Sequence, residues 1–215
     1  LRSAFYGQRW EYSKCVKQRI FVGQSNYPIK GLHFFIQAIP FILYYYPDLD
    51  VRIAGKDFVT IDSLYRKLKD RTYAHYLRSL IKKHRLESRI HFLGVLNEQE
   101  ILQELLSANV FVCASSIENS SNSLCEAQMV GVPCVASYVG GNPDIISDKE
   151  HGILYRYDDI PMLCQSVCKA LQNSQSFDNT PQIRSANLRH DIKQNLASTL
   201  KIYDEIANDN SYLKK

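Results

Sequence analysis

Residues 110–146 constrain this chain more than any other stretch: VFVCASSIENSSNSLCEAQMVGVPCVASYVGGNPDII. The segment opens on an apolar run, Val110-Phe111-Val112-Cys113-Ala114, closed by Ser115-Ser116, which is the pattern of a strand buried on both faces. Small polar residues fill 119–123, and Ser121, Asn122 and Ser123 are all helix-capping types, so a helix is predicted over about 123–130. Gly131 ends it, and a second apolar run, 132–136, contains Pro133. Strand, polar loop, helix, glycine and strand in that order make the crossover unit of a parallel sheet flanked by helices.

In such a unit the helix N-terminus faces the carboxyl end of the sheet, where α/β folds bind ligands. Unpaired N–H groups and the helix dipole favour a phosphate there. Two glutamates, Glu118 and Glu126, stand with seven residues between them, one in the loop and one near the first turn of the helix. An ionised carboxylate only accepts hydrogen bonds, so both suit a ligand rich in hydroxyls. Phosphate on backbone amides and carboxylates on hydroxyls is the chemistry of a nucleotide-sugar site. Read singly, Glu118 is a solvated loop carboxylate and Glu126 a first-turn glutamate favoured by the dipole. The surrounding Gly and Pro positions favour the site reading.

The rest of the chain repeats the alternation. A buried strand over 19–23 ends at Gly23, followed by turn residues 24–29 and then Lys30-Gly31 before an amphipathic helix carrying Leu32, Phe35, Ile36, Ile39 and Ile42. A second strand, 49–54, ends at Gly55, where a nucleotide can approach the backbone. Residues 64–86 read as a helix with many Lys and Arg off its apolar stripe, a face suited to solvent or to anionic lipid. A third strand, 89–93, precedes Gly94-Val95, and Asn97 with Glu100 predicts a capping box opening a helix over 97–108. After the central stretch come an edge strand, 152–155, a helix from 159 or 160 to 171, a polar connector over 173–182, and helices over 183–190 and 192–206. Asp48-Leu49-Asp50 matches an Asp-x-Asp metal motif but precedes its strand, at the wrong end of a sheet for ligands, so no metal is expected.

Composition narrows the class further. The 215 residues suit one large α/β domain, with a formal net charge of +4 that fits an anionic ligand or membrane surface without requiring nucleic acid. No run reaches the roughly 18 apolar residues of a membrane span, and residues 1–10 lack a signal-peptide pattern. The six cysteines form no Cys-x-x-Cys pair, which points to reduced thiols and a cytoplasmic setting. Cys164 and Cys168 share a helical face and fit core packing better than metal binding.

Four submotifs occur in order, Glu118…Glu126, Glu126-Ala127, Gly131-Val132-Pro133-Cys134-Val135-Ala136-Ser137 and Gly140-Gly141-Asn142-Pro143-Asp144, and upstream Gly23 with Lys30-Gly31 adds a further match. In these the chain resembles the donor-binding half of retaining glycosyltransferases of family four, which have the two-domain GT-B fold. The resemblance runs from about residue 19 to 171. It implies a Rossmann-like C-terminal domain (residues 19–190), preceded by a linker from a missing N-terminal acceptor domain (1–18) and followed by a terminal helix and tail (191–215).

By the same resemblance, the enzyme would move a sugar from a nucleoside-diphosphate sugar to a glycan or lipid-linked acceptor, as in polysaccharide biosynthesis, with retention of configuration and no cofactor. Lys30 would hold the diphosphate, Glu118 the sugar hydroxyls and Glu126 the ribose. Gly23, Gln24, Gly55, Gly94, Val95, Ser120, Ser121, Asn122, Ser123 and Leu124 would complete the donor site. Lys30 and Glu118 are the catalytic candidates.

Two positions depart from the family pattern: Gln24 replaces an Arg, and Asn119-Ser120-Ser121 replaces Gly-Phe-Gly. Peripheral contact with the inner face of a membrane is a further expectation. A nucleotide-sugar epimerase and a non-catalytic nucleotide-binding partner domain are the competing readings. A nicotinamide-binding domain is disfavoured, since no Gly-x-Gly-x-x-Gly follows a strand.

Overall fold

The computed structural model describes residues 1–23, 27–55 and 73–208. Gln24 and the first part of the helix expected over 64–86 lie outside the described residues. Six short strands form one all-parallel sheet: β1 (Arg19–Val22), β2 (Asp50–Ile53), β3 (Ile90–Phe92), β4 (Val110–Cys113), β5 (Cys134–Ser137) and β6 (Ile153–Tyr155), in the order β3-β2-β1-β4-β5-β6. The register is continuous across the centre, with Phe21 beside Arg52 on one side and Phe111 on the other. Both neighbours of β1 and β4 are strands and both faces are covered. Their runs are accordingly apolar almost throughout, as the sequence predicts.

Two helical layers cover the sheet. Helices α1 (Leu32–Tyr45), α2 (Tyr73–Lys83) and α6 (Ile160–Asn173) pack over Ile20, Val22, Val51, Val112, Val135 and Tyr155. On the other face α3 (Glu98–Ser107), α4 (Asn122–Val130), α7 (Thr180–Arg189) and the N-terminal segment pack over Phe21, Phe111, Cys113, Cys134 and Ala136. Trp10 is buried in that layer, and its indole N–H donates to Ala108 O at 2.7 Å. A short helix, α5 (Asn142–Ile145), follows β5, and the last helix, α8 (Ile192–Asn208), has no buried residue.

Local signals explain most element ends. Asn97 and Glu100 form the expected capping box at the start of α3. Ser121 caps α4, accepting from Leu124 N, so that helix starts at Asn122, one residue earlier than expected. Helix α7 starts inside the expected connector, because Pro181 suits a first turn and Asp178 Oδ1 accepts from Thr180 N. Four-residue α5 was not foreseen; Pro143 opens it in the same way.

Candidate functional site

Between β1 and β4 the strand order reverses, and loops leaving those two strands diverge to opposite faces. The crevice at their carboxyl ends is where a doubly wound sheet offers a ligand room. A cavity of about 550 Å³ opens there, lined by Gly23 from the end of β1, Lys30, Glu118, residues 120–123 and Glu126. Arg2, Phe21, Ile101, Leu105 and Phe111 form the rest of its wall, with Leu1 at its edge.

Lys30 ends a 3-10 turn, Pro28–Lys30, which is fixed to the opposite loop by Ser116 N donating to Ile29 O at 2.8 Å. The next residue, Gly31, has φ of 68°, and a Cβ there would lie 1.7 Å from Ala114 O. Only glycine permits that approach, which brings the start of α1 onto the end of β4. As a result Lys30 Nζ reaches Glu118 Oε1 at 2.7 Å, and Ser115 Oγ donates to the same oxygen at 2.7 Å.

The Glu118 loop is held from behind. Gly141 N donates to Asn119 O at 2.9 Å, and Gly140, at φ of 50°, comes so close that a Cβ would meet Glu118 O at 1.6 Å. The Gly-Gly pair, a separate submotif in sequence, is thus the wall against which the glutamate loop rests.

Glu126 lies on α4, only 4% exposed, and both of its oxygens accept from Arg2, Nε and Nη2 each at 2.8 Å. This bidentate pairing raises the Arg2 pKa above its usual range. Arg2 also lies 5.0 Å from the centroid of the Phe5 ring. At the start of α4, Ser121 and Ser123 hydroxyls lie 3.2 Å apart beside the first-turn amides of Asn122 and Ser123, which an α-helix leaves without intrahelical acceptors. The site therefore combines two cations, two carboxylates, three serine hydroxyls and a helix N-terminus around one cavity.

Not every expected residue converges here. Gly55 and Gly94 bond to each other, Gly55 N to Gly94 O at 2.9 Å, beyond the ends of β2 and β3. They sit on the far side of β1 from β4 and outside the cavity wall, as does Val95, which is 81% exposed. Leu124 is buried in the core, and its N–H is taken by the Ser121 cap. Arg2 is the charged residue of the cavity wall that sequence reasoning did not single out. It has no motif around it, and its partner is 124 positions away.

Nearby thiols are packing groups. Burial pushes the Cys113 thiol above its ordinary range, and likewise Cys134, while Cys168, half-buried beside Cys164, is pushed up to about 12. All six cysteines are free. Among the described residues no three His, Cys, Asp or Glu side chains come together in a way that would hold a metal ion.

With this geometry in place, comparison with known proteins is informative. Residues 17–173 match the model of the family described as "Glycosyl transferases group 1". Spore coat protein SA of Bacillus subtilis is 25% identical over 158 residues, covering 73% of this chain and 40% of that protein. The GPI3 subunit of phosphatidylinositol N-acetylglucosaminyltransferase from Saccharomyces cerevisiae is 23% identical over 187 residues, 86% of this chain and 38% of the relative. The chain thus spans about two fifths of the length of these relatives. Among solved structures, Anabaena HepE in complex with UDP-glucose superposes with a TM-score of 0.71 at 21% identity, over 86% of this chain and 49% of that one.

Proposed function

The chain belongs to the group 1 glycosyl transferases, and on that footing we propose that it is the donor-binding domain of an enzyme that takes a sugar from a nucleoside-diphosphate sugar. The observation that carries this is the convergence of Lys30, Glu118, the α4 N-terminus and Glu126 on one cavity at the strand-order reversal. Lys30 and the first-turn amides of α4 hold the diphosphate, Glu118 accepts from sugar hydroxyls, and Glu126, oriented by Arg2, accepts from the ribose. Lys30 is then released from Glu118 as phosphate oxygens and sugar hydroxyls replace each as the other's partner. HepE, crystallised with UDP-glucose, supports a donor of this class.

In this reading transfer proceeds with retention at the front face of the sugar, without metal or cofactor. The protein's part is to stabilise charge growing on the leaving diphosphate, through Lys30 and the helix amides. The acceptor, a glycan or lipid-linked glycan, is held by a further domain of the parent protein. The short span relative to known family members supports that division, and the name of the GPI3 relative supports a lipid-linked acceptor. The cytoplasmic side of a membrane suits the six unpaired thiols; no described helix is long and apolar enough to cross a bilayer.

The test is thermal unfolding of the chain with UDP, GDP, ADP, dTDP and CMP, repeated with Glu126→Ala and Lys30→Ala. A ligand at 100 times its dissociation constant adds about 2.7 kcal/mol, a rise of roughly 5–10 °C for a domain of this size. One diphosphate should produce it, and both variants should lose it. No shift with any nucleotide would move the chain to the non-catalytic partner reading.

A further inference from the structure

The helical layer formed by α1, α2 and α6 has a charge pattern that neither packing nor nucleotide binding requires. None of these three helices contains an Asp or a Glu. Their formal charges are Arg78, Lys82, Lys83 and Lys169, and both Lys82 and Lys83 are exposed. The opposite layer carries Glu98, Glu100, Glu104 and Glu126 on α3 and α4. Among the described residues, the carboxylates near the first layer lie outside its helices: Asp158 is held by Arg156 at 2.7 Å, Asp159 caps α6, and the exposed Asp48 and Glu87 follow α1 and α2.

Helix α1 lies at the middle of this layer and bears no charged side chain in 14 residues. Its inner stripe, Leu32, Phe35, Ile36, Ile39 and Ile42, is fully buried. Its outer stripe is also apolar: Phe41 is 60% exposed, Tyr44 83% and Tyr45 66%. Positions i, i+3 and i+4 of a helix share a face, so the three rings form one patch. Tyr76 of α2 is exposed as well, and Lys83 follows it by two turns on the same flank. Solvated helices rarely expose three adjacent aromatics without a charge among them.

We propose that the outer face of α1, with Phe41, Tyr44 and Tyr45 as anchors and the exposed Lys82 and Lys83 of the neighbouring α2 as its basic groups, docks on a bilayer containing anionic phospholipid. Tyr and Phe bring an apolar body to the acyl boundary, and the tyrosine hydroxyls remain at the level of the headgroups. Basic side chains near such a surface each contribute attraction to anionic headgroups, and no carboxylate on these three helices opposes it. The docking itself stands without the donor-site reading, because its test reads partition, not transfer.

The experiment is co-sedimentation of the chain with vesicles of phosphatidylcholine alone and of phosphatidylcholine mixed with phosphatidylglycerol, at low and high salt. Partition is expected on the mixed vesicles, reduced by salt. Combined Phe41→Ser, Tyr44→Ser and Tyr45→Ser should abolish it. Lys82→Ser with Lys83→Ser should lower the partition coefficient roughly 30-fold.

The exposed stripe of α8 supplies the control: Leu196→Ser with Leu200→Ser should leave partition unchanged. All these side chains are exposed, and melting curves check that each variant folds. No partition on mixed vesicles overturns the proposal, as does partition insensitive to the α1 substitutions. A concentration-dependent dimer lost with the same α1 substitutions would assign the face to a second copy instead.

Discussion

On one face of the sheet, α1, α2 and α6 meet the strands through Phe35, Ile36, Ile39, Leu77, Leu163 and Val167, all aliphatic or aromatic. On the other, Gln128, Asn142, Asn179 and Gln182 enter the core together with its apolar side chains. The difference follows from what each face must cover. Regular helices satisfy their own backbone, whereas the N-terminal segment, the turn after α4 and the residues after α5 leave carbonyls that need donors. Side-chain amides supply them. Asn179 Nδ2 donates to Trp10 O at 3.0 Å and Gly131 O at 3.2 Å, and Gln182 Nε2 to Val132 O at 2.9 Å. Gln128 Nε2 serves Ile145 O and His151 O, while its own oxygen accepts from Arg189. Packing positions α1; directional bonds position α4, the helix that carries Glu126.

The largest effect is expected where the apolar face begins. Gly31→Ala places a methyl 1.7 Å from Ala114 O at a left-handed φ. Neither the helix start nor the strand end has room to move. Destabilisation of about 4 kcal/mol or more is expected in urea unfolding, with Lys30 displaced from Glu118. A cost near 1 kcal/mol would mean that α1 can slide on the sheet and that its packing does not fix its position.

One substitution on each face sharpens the contrast further. Ile39→Ala empties fully buried space beneath α1 and should cost about 3 kcal/mol. Asn179→Ala orphans two buried carbonyls and should cost about 2 kcal/mol. The smaller loss should be the more local one. Native-state hydrogen exchange should show Trp10 N, bonded to Val130 O at 2.7 Å, opening ahead of the strands in Asn179→Ala, and with them in Ile39→Ala. Identical exchange patterns in the two variants would erase the distinction between the faces.

The sequence made the apolar face legible and the polar one only in part. A strand buried on both sides and a helix with a 3.6-residue stripe announce themselves locally, so β1, β4, β5 and α1 were readable from hydrophobic pattern alone. Glu118, Lys30 and Glu126 stand out in sequence only through the family resemblance; of the three, Lys30 alone has a neighbour, Gly31, that marks where its element begins. Asn179 and Gln128 were not readable: an amide in a polar connector or mid-helix looks solvated until the carbonyl it serves is known. The Gly55, Gly94 and Val95 positions lie apart from the cavity. Each follows a parallel strand, as a ligand-binding loop should, but the sheet order places β2 and β3 away from the reversal.

Arg2 lies at the limit of that legibility, and it gives the smallest of the expected effects. Its guanidinium is part-exposed while Glu126 is buried, so Arg2→Ala gives up a screened charge but leaves a carboxylate enclosed without its bidentate partner. Such a half-exposed pair should be worth about 1 kcal/mol, above a surface ion pair and below a fully enclosed one. A double-mutant cycle of Arg2→Ala with Glu126→Gln isolates the coupling, because the neutral amide tolerates loss of the cation. In the donor-site reading the same substitution also weakens nucleotide binding, since a carboxylate freed from Arg2 is no longer pointed at the cavity. If Arg2→Ala instead tightened binding, Arg2 would be a competitor for Glu126 that the ligand displaces. The N-terminal segment would then be a gate on the polar face and not part of its frame.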